Sequence, residues 1–131
     1  MTLEELNLHF YAVEQLNSAK DRLESMHTFL RAQSLDGMPQ SSGNHRKVEQ
    51  LSILIDQQKQ EVARMERIVE SSASSVEQFI RSISDNRTAQ IFSLRFLAGY
   101  SWQQVAEIIG GHNTENSVKS QCYRYLQSDT D

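Results

Sequence analysis

Asn116, Lys119, Ser120, Tyr123 and Arg124 follow one another at alternating steps of three and one, a spacing that lines polar heads along the side of a helix. Those heads suit recognition better than bond-making. An asparagine amide bonds the N6/N7 edge of adenine in two places, a serine hydroxyl serves any base edge, and a lysine suits guanine or a phosphate. Arg124, Tyr123, Thr114 and Gln103 are candidates for phosphate contacts, helped by the partial positive charge at a helix start. His112, beside two glycines, reads as a turn residue able to approach a phosphate backbone. Reactive chemistry finds no comparable set. His9, His27, His45 and His112 lack metal-ligand spacing with cysteine or carboxylate, and neither a glycine-rich phosphate loop nor a nucleophile motif occurs. No enzyme, metal or cofactor is therefore expected. The single cysteine, Cys122, excludes an internal disulfide and reads as a small buried hydrophobe.

Three short helices must position these residues. Asp85-Asn86 offers a helix start, and Ile91, Leu94, Phe96, Leu97 and Ala98 form an apolar face that stops at Gly99. Ser101 and Gln104 make a capping box for a second helix, with Trp102, Val105, Ala106, Ile108 and Ile109 on its buried side. Gly110-Gly111 breaks it, and Asn113 or Thr114 caps a third. There Val118, Cys122, Tyr125 and Leu126 face inward, while Glu115, Asn116, Lys119, Ser120, Tyr123 and Arg124 face out. Two short helices around a glycine turn predict a helix-turn-helix, whose second helix normally enters the major groove. Trp102 is expected to be structural, and Arg95 to brace the domain through a carboxylate such as Glu107, with a polymerase contact as its alternative.

The run Arg95-Phe96-Leu97-Ala98-Gly99-Tyr100-Ser101-Trp102-Gln103-Gln104-Val105-Ala106-Glu107-Ile108-Ile109-Gly110 resembles region 4 of bacterial sigma factors. It shares with them an arginine-apolar pair, a glycine, a hydroxyl cap and a Val-Ala-x-Ile-Ile core. One departure is the turn. Val105 and Val118 are thirteen residues apart, further than in sigma-type turns, and the usual apolar turn residue is missing.

Residues 1–84 predict two long helices joined by a loop at 35–44, where Asp36-Gly37, Pro39 and Gly43 oppose helix formation. Val48, Leu51, Ile55, Gln58, Val62, Met65, Val69, Ser72, Val76, Phe79 and Ile83 alternate steps of three and four, the spacing of a coiled-coil seam. A helix that long, roughly 55–60 Å at about 1.5 Å per residue, needs a partner along its length. Leu16, Ala19, Leu23, Met26 and Leu30 keep the same spacing, whereas Leu3, Leu6, Phe10 and Val13 are out of step with it. The seam is thus expected to shift register between Val13 and Leu16. The expected architecture is all-α: an antiparallel hairpin, residues 1–84, then a helix-turn-helix domain, residues 85–128.

Leu35-Asp36-Gly37-Met38-Pro39, Ser42-Gly43, Lys47-Val48-Glu49, the long helix and the Arg95-Phe96-Leu97 to Trp102-Gln103-Gln104-Val105-Ala106 segment together resemble small phage and prophage proteins of Gram-positive bacteria. These sit near the ArpU-like and RinA-like late transcription regulators. The resemblance covers most of the chain and implies a phage-encoded regulator with a sigma-like DNA-binding end.

Charge sets conditions on that expectation. The chain carries a formal charge of −4. Residues 1–84 hold nine Lys/Arg against twelve Asp/Glu, so the hairpin is expected to repel DNA; residues 86–128 hold four against two. An excess of two positive charges is weak for phosphate neutralisation. Double-stranded DNA is thus expected as partner only with reinforcement, by self-association through the coiled coil or by tethering to RNA polymerase. No stretch suits a membrane span or a leader peptide, and a cytoplasmic location in a bacterial host is expected. Two other classes compete: a small terminase-like packaging protein, which would assemble as a ring, and a coiled-coil adaptor that binds no DNA.

Overall fold

The computed structural model describes residues 1–34 and 42–129, and the fold is all-α. Helix α1 spans Leu3–Ser34 and α2 spans Ser42–Arg81; the short helices α3 (Asn86–Phe92), α4 (Trp102–Ile109) and α5 (Glu115–Asp129) follow, with a π-helical turn, Ser93–Leu97, continuing α3. Among the described residues there is no strand, and no helix is long and apolar enough to cross a membrane. Of the expected loop at 35–44, Ser42 to Asn44 already belong to α2; positions 35–41 lie outside the described residues.

The chain divides into two compact units, but not at residue 84. One unit combines Met1–Glu14 with Ile68–Asp131, and the other is Gln15–Arg67. The cause is a continuous core. Leu6 and Phe10 from the first turns of α1, and Val76, Ile80 and Ile83 from the end of α2 and just beyond it, join Ile91, Phe92, Phe96, Trp102, Val105, Val118, Cys122 and Leu126 in one buried cluster. Three short helices present too little apolar surface to exclude water alone. The ends of the two long helices supply the missing wall.

Within this first unit α3 carries Asp85 as its N-cap, whose carboxylate accepts from the Thr88 N–H (3.1 Å) and hydroxyl (2.6 Å). Phe92 packs edge-on against Phe79 and Tyr125 and tilts onto Phe96. The π-turn is marked by the Ala98 N–H donating to the Ser93 carbonyl, five residues back. That widened turn shifts the apolar stripe, so Ala98, expected on the inner face, is exposed. Gly99 closes the helix at a φ of +83°, a region open to glycine.

The seam of the long helices follows the sequence pattern closely. None of the eleven seam positions from Val48 to Ile83, ten in α2 and one just beyond it, is exposed, and Ile55, Val62, Val76 and Ile83 are buried. In α1 the buried apolar side chains fall at Leu6, Phe10, Val13, Leu16 and Ala19. Three consecutive steps of three replace the alternating heptad rhythm there, and the break coincides with the unit boundary at Glu14/Gln15. Both polar seam positions are satisfied. In the second unit the Gln58 amide donates to the Ala19 carbonyl at 3.0 Å; in the first, the Ser72 hydroxyl pairs with His9 Nδ1.

Candidate nucleic-acid interface

Helices α4 and α5 pack on each other as the expected helix-turn-helix; α5 also packs on α3, and α4 on the π-helical turn that continues it. Ser101 caps α4 through a full capping box: it accepts from the Gln104 N–H at 3.2 Å, and its own N–H donates to Gln104 Oε1 at 2.9 Å. Of the two candidates for capping α5, Thr114 is the one used. Its hydroxyl accepts from the Ser117 N–H at 3.1 Å, and its N–H donates to Ser117 Oγ at 2.9 Å. Asn113 instead ties the turn together: its N–H and amide donate to the Gly110 carbonyl, and its side-chain oxygen accepts from Arg87.

The long turn is built from three successive residues with positive φ: Gly110 (+71°), Gly111 (+63°) and His112 (+65°). Gly110, with ψ at −156°, sits where essentially only glycine is stable. The long turn is thus accommodated by left-handed backbone and the Asn113 bonds. Spacing from Val105 to Val118 is preserved as packing, both side chains being fully buried.

On α4 the buried residues are Trp102, Val105 and Ala106. Ile108, expected among them, is 53% exposed: at about 100° per residue it lies roughly 120° around the helix from Trp102, on the far side of Val105 and beyond the edge of the buried face. On α5 Val118, Cys122 and Leu126 are buried and Tyr125 is half-buried, as the spacing predicts. Burial pushes the Cys122 thiol up to about 12, which makes it a packing residue and not a nucleophile.

The candidate contact residues separate into two groups. Asn116, Ser120 and Arg124 are exposed at steps of four along α5, and Gln103 is exposed in the first turn of α4; none of these side chains has a hydrogen bond or ion pair among the described residues. The others already have internal work. The Tyr123 ring is half-buried, edge-on to Trp102 at 6.2 Å, with the Lys119 ammonium above it at 5.9 Å. Thr114 is committed as a cap acceptor, and exposed His112 holds the turn conformation.

Arg95 corrects an expectation. Its guanidinium pairs with no carboxylate of α4; it lies 3.7 Å from the centre of the Phe10 ring and 4.7 Å from that of Trp102, and Nη1 donates to the Tyr100 carbonyl at 3.1 Å. Desolvation by burial pulls its pKa below the usual guanidinium range, opposed by Tyr123 and Glu14. Glu107 stays exposed. Sequence spacing had no means of pairing Arg95 with Phe10, eighty-five positions earlier. Two further supports were also missed. Arg87 holds the turn through Asn113, and Gln121 donates to Thr88 Oγ1 at 2.9 Å, tying α5 to the Asp85–Thr88 cap.

The electrostatic frame is also different from that of the sequence division. By residue count the unit bearing the helix-turn-helix has five Lys/Arg against ten Asp/Glu, a formal −5, while residues 15–67 have eight against seven. The acidity therefore belongs to the unit of the candidate interface and not to residues 15–67. With Arg95 held over two rings, the other cations on residues 86–128 are Arg87, Lys119 and Arg124, counted against exposed Glu107 and Glu115. Among the described residues no group of three or more His, Cys, Asp or Glu is arranged to hold a metal ion. No protein-family model, curated protein or solved structure matches this chain.

Proposed function

We propose that the chain is a non-catalytic, phage-type transcription regulator that acts in the bacterial cytoplasm and reads double-stranded DNA with α5. One observation carries the reading: a capped helix-turn-helix holds Asn116, Ser120 and Arg124 on α5 exposed and without internal partners. Asn116 near the helix start is the base reader, suited to adenine, with Ser120 and Lys119 beside it; Arg124, Gln103, Thr114, Tyr123 and His112 approach phosphates. The surplus of carboxylates on the same unit limits what one copy can bind. Affinity is therefore supplemented, either by self-association through the long helices, which sets two recognition helices on two half-sites, or by tethering to RNA polymerase.

Selection from a random double-stranded DNA pool tests this, using the full chain at about 50 mM salt with and without bacterial RNA polymerase. A recurrent motif in either condition supports the reading, and Asn116→Ala relaxes the preference at one base position by a factor equivalent to about 1–3 kcal/mol. No enrichment in both conditions contradicts it and favours the adaptor.

A further inference from the structure

We propose that Phe10 and Arg95 are positioning residues for Lys119 on the recognition helix, acting through Trp102 and Tyr123; this rests on the reading of α5 as that helix. All five side chains belong to one unit and form a continuous series. The Arg95 guanidinium carbon lies 3.7 Å from the centre of the Phe10 ring and 4.7 Å from that of Trp102. Trp102 meets Tyr123 edge-on, with ring centres 6.2 Å apart at 79°, and the Lys119 ammonium is 5.9 Å from the centre of the Tyr123 ring. A spacing of four makes Lys119 and Tyr123 neighbours on one side of α5. Both are half-buried, whereas Asn116, Ser120 and Arg124 are exposed.

Two irregularities meet at Arg95, and packing alone accounts for neither. Arg95 belongs to the π-helical turn Ser93–Leu97, a form of helix that is rare and concentrates at functional sites. Its Nε is buried with no hydrogen-bond partner among the described residues, although an aliphatic side chain in the same place would bury no unpaired N–H. What an aliphatic side chain lacks is a flat, cationic face that two rings can share. With that face over it and Phe96 perpendicular to it at 6.2 Å, the Trp102 ring is held from two directions, and its contact restricts the rotamers open to Tyr123. The Tyr123 ring in turn draws the lysine ammonium toward one place. A long, flexible side chain confined before binding loses less freedom when it meets a guanine or a phosphate. Helix α1 thereby enters recognition through Phe10, although it carries none of the residues assigned to DNA.

The test titrates the full chain against a fluorescent pool of random double-stranded DNA at about 50 mM salt, with and without RNA polymerase, at a temperature where circular dichroism shows every variant folded. Phe10→Leu keeps an apolar side chain but no ring, and Arg95→Lys keeps the charge but no plane. Each is expected to weaken binding about threefold. In a Lys119→Ala background neither has a further effect, since the group they position is gone. Ile83→Val, in the same buried cluster but outside the series, lowers the melting temperature and leaves affinity unchanged, which separates positioning from stability. The series is also read in the free chain, where the ring current of Tyr123 displaces the NMR signals of the Lys119 side chain; Phe10→Leu and Arg95→Lys are expected to move them toward those of an exposed lysine. If the wild type retains no DNA in either condition, the DNA reading fails and these signals decide the positioning by themselves. Wild-type affinity in both variants, losses of equal size with and without Lys119, an equal loss in Ile83→Val, or Lys119 signals that neither variant moves would each overturn the proposal.

Discussion

The Arg95 guanidinium, over the rings of both Phe10 and Trp102, ties the beginning of α1 to the helix-turn-helix. Lysine carries the charge but neither the planar face nor the fork that reaches the Tyr100 carbonyl, so Arg95→Lys is not conservative here. Its expected cost is about 1–2 kcal/mol, read as a lower urea midpoint together with altered Trp102 fluorescence. His9, buried and paired with the seam residue Ser72, carries a pH signature. Burial lowers its pKa from 6.5 while Glu77 pulls the other way, and Ser72 bonds its Nδ1. The folded state thus favours the neutral ring, and its stabilisation is complete above about pH 6.5. It is lost as pH falls from there through the depressed folded value, since the unfolded chain binds the extra proton first. The urea midpoint of the wild-type chain should fall between pH 7.5 and 5.5, and that of His9→Leu should fall less; identical slopes contradict this account of His9.

Caps and breakers were the most legible features at the level of elements. Asp85, Ser101 with Gln104, Gly99 and Thr114 all act at the positions their types and spacing indicate. What the pattern could not show was the π-turn. Its five-residue hydrogen bond shifts phase inside what reads as one continuous helix, which is why Ala98 was placed on the wrong face. Ile108 was misplaced for a simpler reason: three apolar residues of four in Ala106-Glu107-Ile108-Ile109 exceed what one face of a two-turn helix can bury. The turn itself yields a sharp prediction. A Cβ at Gly110 meets nothing within 4 Å, so the cost of Gly110→Ala is conformational and not steric crowding by neighbours. It should destabilise the chain by about 1–3 kcal/mol in chemical denaturation. Gly111→Ala, in the ordinary left-handed region, should cost less, about 1 kcal/mol.

For the molecule as a whole, the all-α class and the seam from Val48 to Ile83 were readable because heptad spacing is a local property. The division into units was not, because Leu6, Phe10, Val76 and Ile80 serve the short helices' core from sequence positions far outside residues 85–128. That redistribution changes the electrostatic argument, since it places ten carboxylates in the unit that carries Asn116, Ser120 and Arg124. Binding to DNA should accordingly be weak for single copies, with a shallow salt dependence set by the few cations that can displace counterions. The most direct test of the central claim is retention of double-stranded DNA at low salt by the full chain and by Lys119→Glu/Arg124→Glu, with RNA polymerase present and absent. Both side chains belong to the outward side of α5, so the variant keeps its helicity. The account predicts retention by the wild type in at least one condition and its loss in the charge-reversed variant at unchanged circular dichroism. Equal retention of DNA by the two proteins, or none by either with polymerase present, would contradict it.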